Sequence, residues 1–420
     1  MFALFAILIF SVIIYKWDFF NYPGISRWVL LSVFILKVGA GYLSYKYHHI
    51  YFAGGDGNIY LKGGRELVEF SNKNPITYFK LFTNQNRLTP GWKEKYDEII
   101  YWDAVPGKEL IDDNRTAIRI NSLVSLVSFG SVSAHLIVLI FLSFIGLMAL
   151  YKTFRKWFKH IYPPAVFLAV FLSPSIIFWT SGILKETHTI FFLGLFLMQL
   201  SIFLKRKRLT SLFWTLALSI LILMSRTYLA VSLFLPVAFL FATVLFKSNK
   251  LLKPVGLTIV FIVFVFLLLN ANGIDFYQIL SAKQTDFNII GRNANSFFHI
   301  PGLNQPSDLL KYLPIALLNV YIQPQLFNFN SWLFLLPIIE NIDIITLALL
   351  AIWFYKSPDR AENKYLLFVI MVWIIGGWII GLTVPVQGAI ARYKSVIIPF
   401  LLISIFAIVD WEKLKSKYLH

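Results

Sequence analysis

The chain has 420 residues, of which 58% are hydrophobic, 17% aromatic and only 14% charged, with 41 Phe and 20 Tyr. That balance excludes both an ordinary soluble domain, in which about 25% of residues are charged, and a disordered polar chain. The formal net charge is +17, and the absence of cysteine removes disulfides, thiolate metal sites and cysteine nucleophiles from consideration.

Apolar runs long enough to cross a bilayer recur along the chain, and spans are predicted at 1–15, 28–46, 131–151, 162–180, 186–204, 209–225, 227–246, 254–271, 340–355, 365–383 and 388–409. The expected fold is all-α, a polytopic transmembrane helical bundle of about eleven spans forming one integral-membrane domain over residues 1–420. The first run lacks a basic flank and a small-residue cleavage site, so it reads as a retained helix rather than a signal peptide. Two long polar excursions, 47–130 and 272–339, interrupt the spans, and each is expected to carry short interfacial helices. No internal repeat is visible.

Alternate connections collect the basic residues: Lys16 and Arg27, residues 152–159, residues 205–208, residues 247–253, residues 356–364, and the C-terminal Lys413, Lys415 and Lys417. These nineteen Lys and Arg stand against five acidic residues, whereas both long excursions are balanced in charge. By the positive-inside rule the basic connections face the cytoplasm and the excursions face out. An odd number of spans then leaves the N-terminus outside and the C-terminus cytoplasmic. Because most of the excess charge is a topology signal, a nucleic-acid partner loses its motivation; membrane lipids are the expected surroundings.

In the first excursion, YFAGGDGNIYLKGGRELVEF sets Asp56 among Gly54, Gly55 and Gly57 in an open turn, with a surface helix expected from Leu61 onward. A carboxylate at the mouth of a bundle is suited to general-base work on an attacking hydroxyl; equally, it can cap the helix. The pair His48 and His49 lies just before it, but no spacing resembles a zinc site. A divalent metal is not indicated, and no cofactor is expected.

Further along, SPSIIFWTSGILKETHTIFF breaks an apolar stretch at Pro174 and Gly182 and resumes at Lys185 and Glu186, which predicts a hairpin turning at the outer interface. Lys185 suits a phosphate or diphosphate, with Glu186 orienting it or a sugar hydroxyl; the alternative is a self-neutralising pair that snorkels to water. Arg226 in LILMSRTYLAV has apolar flanks on both sides, so it needs an anion: a ligand phosphate, or a structural partner such as Glu186 or Glu340.

The second excursion is expected to contain an amphipathic or re-entrant helix over 309–322, followed by Phe327, Asn328, Phe329, Asn330 and Trp332, which are suited either to a glycan or to interfacial anchoring. Glu340 and Asp343 fall where a helix start favours carboxylates. The last span opens with PVQGAIARYKSVIIPF, in which Arg392 and Lys394 flank Tyr393. Two cations and an aromatic ring at the outer rim suit a diphosphate clamp with a sugar-stacking face, or cationic snorkelling beside a belt tyrosine.

Four local features, Asp56 followed by Tyr60, the FWTSGILKE hairpin, the SRTY junction and the ARYKSVIIP stretch, resemble bacterial GT-C-type membrane glycosyltransferases and the related oligosaccharide repeat-unit, or O-antigen-like, polymerases. The resemblance covers the general layout of most of the chain. It implies a GT-C-like fold in the bacterial inner membrane, a polyprenyl-phosphate- or diphosphate-linked sugar donor, and a glycan or lipid-linked acceptor. By the same resemblance Asp56 is the base, and Arg392, with Lys394, Lys185 and Arg226, grips the lipid phosphate. One departure is the extra helix ahead of the acidic loop. The competing class, a lipid-linked glycan or small-molecule transporter without catalysis, predicts charges near the midplane and internal repeats.

Overall fold

The computed structural model describes residues 2–71, 74–84, 91, 99, 102, 112–246, 252–273, 275–323 and 335–418. Among the described residues all regular structure is helical, apart from isolated bridges such as Tyr22 with Ile25. Six helices are long and apolar enough to cross a membrane: Arg27–Phe52, Val132–Trp157, Lys185–Arg206, Thr227–Phe246, Leu335–Trp353 and Asn363–Thr383. A seventh candidate is the pair Gln387–Lys394 and Ile398–Phe406, bent by 62°. Shorter apolar helices, Phe2–Lys16, Pro163–Leu172, Leu209–Ser225 and Lys253–Val265, occupy the other expected spans.

Two expected spans are broken rather than continuous. Residues 162–180 form a short helix, Pro163–Phe167, a π-helical turn, Leu168–Leu172, and, after Ser173 leaves helical geometry, Pro174–Trp179. Residues 388–409 break at Ser395, two residues after the tilt of Tyr393 against Tyr228, where the turn tightens to Ile397 N–H donating to the Lys394 carbonyl at 2.9 Å. Pro399 at the start of the following helix cannot donate back to Ser395, which removes a bond that a straight helix would need.

The chain forms two compact units, each assembled from several stretches of sequence. The first comprises residues 1–152, 177–200 and 208–227. Here Phe2–Lys16 and Arg27–Phe52 make a hairpin; Ser26 caps the second helix, its hydroxyl accepting from Trp28 N–H at 3.3 Å. Phe144 packs on this hairpin, stacked on Phe20 at 5.6 Å between centroids and edge-on to Phe34 at 5.7 Å. Gly146 and Gly194 face each other so closely that a Cβ on either would collide with the opposing backbone, as small residues permit in membrane helix packing.

The irregular residues 180–184 of this unit are buried. Buried Lys37 donates to the Thr180 hydroxyl at 2.7 Å and to its carbonyl at 3.3 Å, and Gly41 lets the Ser181 carbonyl approach the Arg27–Phe52 helix. Polar backbone outside a helix is thereby satisfied by protein.

Arg27–Phe52 closes in the left-handed residues Ala53 and Gly54, and Gly55–Phe70 begins at once. That helix therefore starts six residues before the expected Leu61, and Asp56 sits in its first turn rather than in an open loop. Gly64 allows it to pack directly on the backbone of Asn121 and Ser122 in the helix Asp113–Ser128. Tyr60, Leu67, Leu81, Trp102 and Ile118 fill the space between them, each burial contributing on the order of 1.5–3 kcal/mol.

In the second unit, residues 153–176, 201–207 and 228–420, the expected helix over 309–322 divides into Asp308–Lys311 and Leu313–Tyr321, with Pro314 in the first turn of the latter. Leu313–Tyr321 lies against Asn363–Thr383, where the missing side chains of Gly381 and Gly377 leave room for the Ala316 carbonyl and the Tyr321 ring. The Gln284 side chain ties Phe276–Gly291 to this pair, donating to the Leu382 carbonyl at 2.7 Å and accepting from Leu303 N–H at 2.9 Å.

Candidate functional site

A lysine and a glutamate adjacent on a helix point about 100° apart, so they need different partners. Lys185 and Glu186 begin the helix Lys185–Arg206 in this way. The Lys185 ammonium is 2.7 Å from Asp113 Oδ2, while Glu186 is ion-paired to Arg226, whose other terminal nitrogen lies 3.3 Å from the same Asp113 oxygen. Four charges from three parts of the sequence thus meet in the first unit. The self-neutralising, snorkelling pair is replaced by three linked ion pairs.

Exposure separates the four groups. The side chains of Lys185 and Arg226 are each 6% exposed and Glu186 is 0%, whereas Asp113 is 37% exposed. Asp113 therefore forms the watered side of the cluster and Glu186 its floor. Asp112, the preceding residue, caps the helix Asp113–Ser128 by accepting from Asn114 and Arg115 N–H at 2.7 and 3.0 Å, which fixes the approach of Asp113. Arg226 takes its position from the break between Leu209–Ser225 and Thr227–Phe246, where its backbone is extended.

The helix carrying Asp56 is seated on the same structure. A Cβ on Gly57 would stand 2.8 Å from the Ile183 carbonyl, so only glycine admits this contact two residues before Lys185. Tyr60, one turn beyond Asp56, places its ring 5.5 Å under the Lys185 ammonium and donates to Asn114 at 2.9 Å. Asp56 shares that face of the helix and is partly buried.

Two helices that end near this cluster and the Asp56 helix start at or just after a basic residue, Arg27 and Arg208. Arg27–Phe52 rises about 39 Å from Arg27 toward Asp56, and Arg226 lies about 27 Å of helix rise from Arg208. The cluster is at the ends remote from those cations.

Arg392, Tyr393 and Lys394 belong to the second unit. Lys394 is not at a rim: it is 0% exposed, donates to Asn341 at 2.7 Å and lies 3.7 Å from Glu340 Oε2. Glu340 in turn accepts from the hydroxyls of Ser173 and Ser175 and from Ser175 N–H at 3.0 Å. One buried carboxylate therefore receives the freed donors of the broken helix at Ser173 and the cation that precedes the break at Ser395. Glu340 is not at the start of its helix, which begins at Leu335. Arg392 and Tyr393 are partly buried, and the Tyr393 ring lies 5.7 Å from that of Tyr228.

The His48 ring nitrogen Nδ1 is 2.7 Å from the Ser44 carbonyl. Among the described residues no three His, Asp or Glu side chains are grouped to hold a metal ion. Phe327, Asn328, Phe329, Asn330 and Trp332 lie outside the described residues.

Asp113 is the member of the cluster that sequence reasoning missed. In the sequence it is one of many charges in a neutral excursion; its one signal is the Asp112-Asp113-Asn114 run, a helix-start pattern just before a basic residue.

No family model, curated protein or solved structure matches the chain.

Proposed function

We propose that this chain is a membrane glycosyltransferase of GT-C-like architecture, with about eleven spans in a bacterial inner membrane, its N-terminus outside and its C-terminus cytoplasmic. It takes a polyprenyl-phosphate- or diphosphate-linked sugar donor at the extracytoplasmic face. The observation that carries this reading is the meeting of Lys185, Arg226, Asp113 and Glu186 beside the helix of Asp56, at the ends of Arg27–Phe52 and Leu209–Ser225 remote from their basic starts. Cations held in low-dielectric surroundings favour charge developing on a phosphate leaving group. Asp56 removes the proton from an acceptor hydroxyl, which attacks the anomeric carbon as the phosphate departs; a single displacement inverts the configuration. Repeat-unit polymerisation is the same chemistry with a lipid-linked glycan as acceptor. Arg392 and Tyr393 enter this scheme on the sequence pattern alone, and Lys394 leaves it because Glu340 and Asn341 hold its ammonium.

The test is Asp56→Asn in membranes that contain the variant at parental abundance. Loss of the general base lowers extension of a lipid-linked glycan about 10²- to 10⁴-fold. Extension at the parental rate removes Asp56 from the mechanism.

A second reading, a transporter, is favoured by one observation: the buried Glu340 and Lys394 between two broken helices, an arrangement that transporters use for substrate or coupling ions. Reconstituted vesicles separate the two readings. A transporter moves its substrate across the bilayer without forming a glycosidic bond.

A further inference from the structure

The His188 imidazole is 2% exposed, and its Nε2 has no hydrogen-bond partner. His188 lies three residues beyond Lys185 in the same helix, and residues at that spacing share a face. About one helical turn from Lys185, the buried ring borders the charged cluster of the first unit. Its hydrophobic side rests near Phe192, with centroids 6.0 Å apart. A second buried atom without a partner, Ser225 Oγ, immediately precedes Arg226 in the chain.

A buried polar atom without a partner costs stability that an apolar side chain of similar size does not. A buried imidazole nitrogen without a partner, about one helical turn from a buried lysine, is a donor that a ligand held by that lysine can use. We propose that His188 contacts the ligand directly, its Nε2–H donating to an oxygen of a phosphate group held by Lys185 and Arg226. This rests on the reading of those two residues as the phosphate-binding pair. The incoming oxyanion uses the donors that Asp113 occupies, Lys185 Nζ and the near guanidinium nitrogen of Arg226, so the exposed Asp113 is the carboxylate it displaces. Glu186, fully buried, remains on the opposite terminal nitrogen of Arg226. No bond is made or broken in this step.

The experiment measures thermal unfolding of the full-length protein in detergent with three probes: inorganic phosphate, a short-chain isoprenyl phosphate and the corresponding isoprenol. A ligand that binds only the folded protein raises the midpoint in proportion to the logarithm of its concentration. Isoprenyl phosphate raises the parental midpoint and isoprenol does not. His188→Phe, which fills the ring's space without polar atoms, keeps or raises the ligand-free midpoint and weakens the phosphate response about tenfold or more in apparent affinity. His188→Gln, whose amide reaches the Nε2 position, recovers part of it. Where His188→Phe does not fold, His188→Ala serves for the same comparison. Equal responses to inorganic and isoprenyl phosphate assign the site to a free anion; a response to isoprenyl phosphate alone assigns it to a lipid-linked one. A variant lacking the imidazole that responds as the parent does overturns the proposal, as does a parent that responds to neither phosphate. Binding is read here without turnover. A protein that responds as expected yet transfers no sugar overturns the transferase reading and leaves His188 in the site.

Discussion

Asp113 Oδ2 stands 2.7 Å from the Lys185 ammonium, although the two residues begin different helices in distant parts of the sequence. The same oxygen is shared with Arg226, and Arg226 binds Glu186, so each charge in the cluster depends on at least one other. Burial makes this dependence steep. Removing Asp113 takes from the buried Lys185 its carboxylate, and removing Arg226 takes from the fully buried Glu186 its guanidinium.

The clearest consequence concerns Glu186 and Arg226. Glu186→Leu and Arg226→Met each leave the partner charged and buried, and each is expected to lower stability by on the order of 3–5 kcal/mol. The double variant replaces the pair by apolar groups and is less destabilised than either single change. Thermal or denaturant unfolding of the four proteins checks this, and losses that simply add would mean that the two side chains are not energetically coupled.

Arg392 and Lys394 are separated by one residue but have different surroundings. Lys394→Met strands the buried Glu340 and lowers stability by on the order of 3 kcal/mol. Arg392→Met has the smaller thermal effect, and under the proposed function it raises the donor concentration needed for half-maximal rate about tenfold. Unfolding midpoints and donor titrations of both variants distinguish the roles; an unchanged donor titration for Arg392→Met would discard the clamp.

A pH dependence follows from His160. Burial pulls its ring down, but the Glu362 hydrogen bond and charge, the Ala407 carbonyl and the Asp359 charge outweigh burial and hold it above the usual imidazole value. Both ring nitrogens face acceptors, Nδ1 the Glu362 carboxylate and Nε2 the Ala407 carbonyl at 2.9 Å, so the protonated ring is the one that fits. The folded value lies above the unfolded one of about 6.5, so the stabilisation is complete below that pH and is lost as pH rises through the folded value. The difference in midpoint between the parent and His160→Gln should therefore be largest near about pH 6 and shrink toward about pH 9. A difference that widens with rising pH would contradict the assignment.

The apolar helices were legible because hydropathy over a long window depends on composition, and composition here is extreme. The interruption at Pro174 was legible too, but the bend between Gln387–Lys394 and Ile398–Phe406 was not, since it leaves the average hydropathy unchanged. Pro399 marked the place, but a proline in an apolar run is compatible with a kinked helix as well as with a true interruption. Arg226 was legible as a charge in need of an anion, and Glu186 was one of the partners its isolation suggested. The crossed pairing with Asp113 was invisible because nothing in a single sequence ties an excursion's last acidic residue to a lysine in a later hairpin. His188 gave no signal either: its unsatisfied nitrogen is a product of packing, not of residue type.

Lys37 also bears on how the chain is assembled. Its ammonium occupies both the carbonyl and the hydroxyl of Thr180, so the non-helical stretch 180–184 gains this donor only when the Arg27–Phe52 helix stands beside it. That dependence favours an order of assembly. In that order the early hairpin is inserted and retained before the later one settles, and a chain that lacks the first should leave the second as a target for membrane quality control.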